Sequence, residues 1–121
     1  MKTITKRFKI DFAHHLPDYN GKCSRIHGHT GYLEITLCDD KSLKQITDYY
    51  EGMIIDFYLF KKKVQPLLDT LDHRDLNYIL VRPTAENVLN YAVQILEKIF
   101  PYALYEVKFY ESTDSWVTWK R

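Results

Sequence analysis

The chain is poor in the features that would take it out of the ordinary globular class. Only two cysteines occur, Cys23 and Cys38, and without a secretion signal they read as free thiols rather than a disulfide. There is no uninterrupted apolar stretch: the N-terminus MKTITKRFKIDF alternates polar and apolar residues, which argues against a signal peptide or transmembrane span and for a cytoplasmic protein. Neither sign of charge dominates. Lys and Arg number 17 against 16 Asp and Glu, so no global field recruits nucleic acid or a membrane surface. Low-complexity linkers and internal repeats are also missing, and 121 residues suit one core, so a single domain over 1–121 is expected.

What is present is concentrated. Four of the five histidines, His14, His15, His27 and His29, lie within sixteen positions of one another. Imidazole is a frequent zinc ligand, and a catalytic zinc commonly takes three protein ligands and keeps a fourth place open. His27 and His29 are two apart, so on an extended backbone both rings point to one side while Gly28 faces away. A third ligand has to come from elsewhere in the chain, and His14 or His15 is the economical source. Cys23 is then either a fourth ligand, which closes the site, or a reactive thiol beside the metal.

The order of elements narrows this choice. From Thr3 to Phe12 the apolar residues Ile4, Phe8, Ile10 and Phe12 fall at even positions, the pattern of a half-buried strand. Continuing the alternation puts His14 on their side and His15 on the other, so His14 is the expected third ligand. Pro17 to Gly21 is a turn-rich loop. After His29, Leu33, Ile35 and Leu37 share one face of a second strand that pairs with the first as an antiparallel hairpin. The stretch 39–52 is aperiodic and reads as a loop, followed by a short extended run at 52–55. Asp56 is placed to cap a helix whose apolar positions continue to Leu71, where Asp72 and His73 close it. Thr84 caps a second helix, with Glu86 complementing its positive end and Pro101 beyond its end. Tyr105, Val107, Phe109 and Glu111 share a face of a third long strand, and 116–120 offers a last short one. Helices set between two hairpins give an α+β fold, a four-stranded antiparallel sheet with two helices on one face. Ten tyrosines fit either interfaces or sheet packing.

The blocks Phe12-Ala13-His14-His15-Leu16, Gly21-Lys22-Cys23, His27-Gly28-His29, Gly52-Met53 with Asp56-Phe57, Leu71-Asp72-His73 with Leu76-Asn77, Pro83-Thr84 with Glu86-Asn87, and Tyr110-Glu111-Ser112 occur in one order. In that order and approximate spacing the chain resembles the 6-pyruvoyl-tetrahydropterin synthase family. Within it, the short bacterial 6-carboxytetrahydropterin synthases of queuosine (7-deazapurine) biosynthesis look most similar. The resemblance implies the tunnelling fold, ββααββ subunits assembled into a hexamer with active sites where subunits meet. It implies zinc held by His14, His27 and His29, Cys23 as the catalytic thiol, and Asp72 with His73 as a second acid–base element from a neighbouring subunit. Glu111 matches the carboxylate that anchors a pterin, and Thr84 a residue lining the same pocket. Two stretches depart from the family pattern. Thr30 is followed by Gly31 with the aromatic Tyr32 one place later, and the segment from Ser112 to Trp116 differs from the commoner version.

The implied substrate is 7,8-dihydroneopterin triphosphate, and the implied products are 6-carboxy-5,6,7,8-tetrahydropterin, acetaldehyde and triphosphate. Zinc on three neutral histidines can polarise the vicinal hydroxyls of the substrate side chain. A thiol near such an ion and near Lys22 or Arg25 gains thiolate character and suits a general base, which argues for Cys23 outside the ligand set. A carboxylate at 111 can accept from the pterin 2-amino and N3 hydrogens together. Lys22, Arg25 and Arg74 are candidates for the triphosphate. A 6-pyruvoyl-tetrahydropterin synthase, which retains the side-chain carbons, and a dihydroneopterin-cleaving aldolase are rival enzymes. A non-catalytic zinc or pterin-binding protein is the alternative of another class.

Overall fold

A computed structural model describes residues 1–46 and 48–121. Its chain begins with the expected hairpin, longer than its alternation alone implied: β1 (Thr3–His14) pairs antiparallel with β2 (His27–Cys38) along the full length of both, from Thr3 opposite Cys38 to His14 opposite His27. The strand therefore does run on past Phe12, and the parity that placed His14 with Phe8 and Ile10 holds. All three point inward and are buried.

The stretch expected to be a loop contains one helical turn, α1 (Leu43–Ile46), pinned by the buried Leu43; Thr47 in the same stretch lies outside the described residues. Residues 52–55 form turns and bends rather than the extended run expected of them. Asp56 then caps α2 (Phe57–Leu71), its Oδ1 accepting from the backbone N–H of Tyr58 at 2.8 Å and of Leu59 at 3.1 Å. This helix passes through Pro66 and buries Phe60, Val64, Leu67, Leu68 and Leu71. Thr84 caps α3 (Ala85–Ile99) through the N–H of Asn87 at 3.1 Å, and that helix buries Val88, Leu89, Ala92, Val93 and Leu96.

Both apolar stripes lie against the inner face of the sheet, where Ile10, Leu33, Ile35 and Val107 are fully buried. Each such side chain contributes about 1.5–3 kcal/mol relative to exposure. The fold is α+β as expected, and the sheet has one strand more than expected. Two residues, β3 (Arg74–Asp75), add in parallel to the edge of β1 at Phe12 and Ala13, giving the order β3-β1-β2-β4-β5. A strand of two residues carries no periodicity, so nothing in the sequence announces it.

β4 (Leu104–Ser112) and β5 (Ser115–Lys120) complete the sheet with two irregularities. Thr36 faces Glu106 but Leu37 faces Leu104, so Tyr105 is an extra residue on β4. That slip corrects the expected face: Leu104, not Tyr105, joins Val107 and Phe109 in the core. At the other end Tyr110 faces Trp116 and Ser112 faces Ser115, which leaves Glu111 as a second extra residue. Bulges of this kind re-aim a side chain out of the ladder. On the outer face, the Arg7 guanidinium lies 4.5 Å from the Tyr32 ring and 4.7 Å from the Tyr110 ring while its Nε donates to Glu34 at 2.9 Å. These two tyrosines pack within the sheet, whereas Tyr49, Tyr50, Tyr58, Tyr78 and Tyr102 are exposed. Among the described residues, no helix is long and apolar enough to cross a membrane.

Candidate metal centre

The hairpin brings three histidines together by register alone. His14 and His27 are cross-strand partners, and His29 faces Phe12 one pleat further in. Their ring centroids are 4.6, 5.0 and 4.9 Å apart, a nearly equilateral triangle, and one ring nitrogen from each lies within 4.8 Å of the others.

The surrounding backbone fixes which nitrogens are available. His14 Nδ1 is 2.8 Å from the carbonyl of Pro83, and His27 Nδ1 is 2.7 Å from the carbonyl of Arg25. A carbonyl only accepts, so each Nδ1 carries the proton and each Nε2 keeps its lone pair for a metal, the usual outer support of a ligating histidine. His29 Nε2 is buried with no hydrogen-bond partner. A buried polar atom of that kind is uncommon without a ligand, water or ion to satisfy it, so the three rings fit a metal ion. Cys23, half-buried on the turn Lys22–Ser24, is not part of this cluster of ligand atoms. Its carbonyl accepts from Leu16 N–H at 2.7 Å, which closes the loop between the two strands. The geometry gathers His14, His27 and His29 without a fourth His, Cys, Asp or Glu ligand among the described residues, and His15 lies off the triad beside Asn77.

Glu111 approaches the same place from β4. Its Oε1 is 3.7 Å from His29 Nε2. Burial lowers the pKa of His29 by disfavouring the charged ring; the Glu111 carboxylate pulls the other way, and the neighbouring His14 and His27 add to the lowering. The sign for stability follows directly. In the unfolded chain this histidine takes a proton near pH 6.5, while in the folded metal-free protein it does so only at lower pH. Acidification through the window just below pH 6.5 therefore favours the unfolded state. The melting temperature of metal-free protein is expected to fall between pH 7 and pH 5, and to fall less in His29→Ala; equal slopes would contradict the assigned cause.

Asp72 and His73 form a second cluster with Asp11, their ligand atoms also within 4.8 Å of one another. Asp72 is the C-cap of α2, and His73 follows with φ +57°, a left-handed conformation that costs a non-glycine residue about 1–3 kcal/mol. Backbone pairing to β1 holds it there: Asp11 N–H donates to Asp72 Oδ1 at 2.9 Å, and His73 N–H donates to the Asp11 carbonyl at 2.6 Å. His73 Nδ1 sits 3.0 Å from Asp72 Oδ2. Burial opposes ionisation of Asp72, but the Asp11 N–H and the adjacent His73 outweigh it and keep the carboxyl below its usual range. Thr30 Oγ1, one residue after the last histidine of the triad, donates to Asp11 Oδ1 at 2.6 Å. His73, Thr30, Asp11 and His29 line one cavity of about 590 Å³ at this end of the sheet.

Other sequence-selected residues stand at distinct places. Thr84 serves as the cap of α3, so a ligand contact would be additional to that role, and Pro83 beside it carries the carbonyl that orients His14, so the start of α3 is tied to the triad. Lys22 and Arg25 are exposed on the loop, and Arg74 Nε donates to the Asp69 carbonyl at 3.1 Å. Two supports carry no role in the sequence reading, although Asn77 belongs to one of the blocks that carry the resemblance. Asp11 braces the Asp72–His73 turn, and the Asn77 side chain accepts from His15 N–H at 2.9 Å and donates to its carbonyl at 3.0 Å, clamping the end of β1. Both act on backbone about sixty residues away, which leaves no local pattern to read.

Comparison with known proteins adds to this geometry. A family model described as 6-pyruvoyl tetrahydropterin synthase matches residues 3–121. A 6-carboxy-5,6,7,8-tetrahydropterin synthase of Synechocystis sp. is 33% identical over 118 residues, covering 95% of this chain and 90% of its own. A dihydroneopterin monophosphate aldolase of Pyrococcus furiosus is 34% identical over 76 residues, 63% of this chain and 60% of its own. Among solved structures, the 6-pyruvoyl tetrahydropterin synthase of Caenorhabditis elegans superposes with a TM-score of 0.80 at 26% identity, covering 99% of this chain and 95% of that one.

Proposed function

Because the chain belongs to the 6-pyruvoyl tetrahydropterin synthase family, we propose that it is a zinc-dependent 6-carboxy-5,6,7,8-tetrahydropterin synthase acting in queuosine (7-deazapurine) biosynthesis. It takes 7,8-dihydroneopterin triphosphate and water to 6-carboxytetrahydropterin, acetaldehyde and triphosphate. The observation that carries this reading is the open three-histidine centre with a carboxylate at its edge, Glu111 Oε1 being 3.7 Å from His29 Nε2. The similarity to several 6-carboxytetrahydropterin synthases over most of the chain supports the choice of product.

His14, His27 and His29 would hold the zinc, which when bound supplies a Lewis-acid centre for the side-chain hydroxyls of the substrate. Cys23, outside the ligand cluster, removes a proton as general base. His73 moves the second proton, with Asp72 orienting its ring and stabilising the charged form. Glu111 accepts from the pterin 2-amino and N3 hydrogens, and Thr84 lines the same pocket. Replacing Glu111 by Gln substitutes a donor for one acceptor oxygen and removes the charge. Neopterin binding to the zinc-loaded Glu111→Gln variant is expected to weaken by about 1–3 kcal/mol, roughly 5- to 150-fold. Unchanged affinity by fluorescence titration would remove Glu111 from the pterin contact.

The Asp72–His73 pair and the triad are separate clusters of ligand atoms within one chain, although His73 and His29 line the same open cavity. We assign completion of the site to assembly: the protein is a homohexamer in which a neighbouring subunit brings Asp72 and His73 to the zinc and Cys23. Mixing subunits tests this. Cys23→Ala and His73→Ala are each expected to lose about 10²–10⁴-fold in turnover alone, and co-assembled hexamers are expected to recover a fraction of wild-type turnover. No recovery in mixed hexamers of verified composition would place the whole site in one subunit. Turnover itself is read by release of triphosphate from 7,8-dihydroneopterin triphosphate; a zinc-loaded hexamer that releases none would sink the enzymatic reading in favour of a non-catalytic zinc or pterin-binding protein. The likeness to the Caenorhabditis elegans 6-pyruvoyl tetrahydropterin synthase structure keeps that reaction as the alternative.

A further inference from the structure

Phe12 and Gly31 belong to no ligand set, yet Phe12 packs on two of the three histidines and Gly31 lies against Phe12 and the backbone of Tyr110 and Glu111. Phe12 is 5% exposed and faces His29 across the hairpin. Its ring centroid lies 5.4 Å from that of His14, nearly perpendicular at 87°, and 5.4 Å from that of His29 at 32°. The Phe109 ring, from β4, lies 5.6 Å from it as well. These separations fall within the range where aromatic rings hold preferred relative orientations. One buried ring thus braces two of the three histidines from the core side.

Gly31 explains why that ring fits. By strand parity a side chain at 31 points to the same face as His29 and Leu33. A Cβ built there would collide with the Tyr110 carbonyl oxygen, and would stand 3.0 Å from Phe12 Cε1 and 3.4 Å from the Glu111 carbonyl oxygen. No residue with a Cβ is accommodated unless β4 retreats. Gly31 sits one step past the Tyr32–Tyr110 pair, where β4 carries its extra residue Glu111. The missing side chain therefore coincides with the bulge that delivers Glu111 Oε1 to 3.7 Å from His29 Nε2.

The geometry points to Phe12 and Gly31 as a positioning pair: the bare backbone at 31 lets the Tyr110–Glu111 segment close onto β2, the Phe12 ring fills the space that remains, and the two together set the orientation of His14 and His29 and the distance from them to the Glu111 carboxylate. The metal half of this inference rests on the three histidines alone; the Glu111 half rests on the pterin reading above.

The test uses the full-length protein, Co²⁺ as the metal probe and neopterin as the pterin probe. Phe12→Leu keeps an apolar core residue and removes the ring. It is expected to bind Co²⁺ about tenfold or more weakly in chelator competition, in line with outer supports of metal ligands, and to shift the cobalt absorption bands. Gly31→Ala is expected to shift the same bands and to weaken neopterin binding to the zinc-loaded protein about tenfold or more, beyond any change in metal affinity. Phe12→Leu that lowers only the melting temperature, with Co²⁺ affinity and spectrum unchanged, overturns the proposal, as does Gly31→Ala with wild-type spectrum and neopterin affinity. Should Gly31→Ala not fold, Phe12→Leu decides, its metal affinity being read against its own metal-free stability. A wild-type protein that binds Co²⁺ but no neopterin defeats the pterin reading and leaves the pair to be judged on the cobalt spectra of both variants.

Discussion

His27→Ala is expected to yield a folded protein that neither retains zinc through dialysis nor turns over substrate. The expectation follows from the way the triad is built. His27 sits at the outer end of β2 and is only half-buried, so truncating it removes little core; the hairpin below it is held by Ile10, Leu33 and Ile35, all fully buried. What it does remove is one of three converging Nε2 donors, whose tautomer is set by the Arg25 carbonyl 2.7 Å from Nδ1. Loss of an outer partner of a ligand already costs about 10–100-fold in metal affinity, and loss of the ligand itself costs more. Metal content by atomic absorption and far-UV circular dichroism together decide the point. A folded variant that still holds one zinc per subunit would show that the ion sits elsewhere.

Cys23→Ala is expected to give the opposite split, with zinc retained and kcat reduced by about 10²–10⁴-fold, the range attributed to a positioned general base. Cys23 lies on the 22–24 turn, outside the group of ligand atoms within 4.8 Å of each other. Were it a fourth ligand, the centre would be closed and the thiol occupied, as in structural zinc sites. The two cases separate by alkylation as well. An unbound thiol reacts with iodoacetamide in the zinc-loaded protein, whereas a ligating thiolate is protected until a chelator removes the metal. Protection by zinc, together with zinc loss in Cys23→Ala, would make the site structural.

These two variants probe the part of the site that the sequence displayed openly. Period-two alternation from Ile4 to Phe12, carried one step further, selected His14 over His15, and the same periodicity put His27 and His29 on one face; the register of β1 and β2 then brings all three together. The caps Asp56 and Thr84 were equally visible, because an N-cap acts on residues two or three positions away. What stayed hidden acts across the chain. The Asp11 backbone fixes Asp72 and His73 across 61 residues or more, and the two-residue strand β3 that follows them has no period to detect. Alternation alone puts Tyr105 on the wrong face because an extra residue in a strand inverts the parity beyond it, and nothing in Leu104–Tyr105–Glu106 marks the slip. Gly31 was recognisable as a departure from the family pattern, but its cause, the Tyr110 carbonyl lying where a Cβ would be, required the β2–β4 contact.

Glu111 combines both situations. Its carboxylate on an otherwise apolar strand face was conspicuous in sequence, and the resemblance gave it a pterin to hold. Its closeness to His29 depends on a bulge at the last residues of β4 that only the pairing with β5 reveals. Glu111 and the metal centre thereby lie beside one another within a subunit, while Asp72, His73 and Asp11 form a second cluster, of which His73 and Asp11 line the same cavity as His29.

The central claim is the reaction, and it is tested most directly by incubating zinc-loaded protein with 7,8-dihydroneopterin triphosphate and identifying the products by mass. The account requires acetaldehyde and 6-carboxytetrahydropterin in equal amounts alongside triphosphate. A pyruvoyl-tetrahydropterin formed with triphosphate but without acetaldehyde would contradict it.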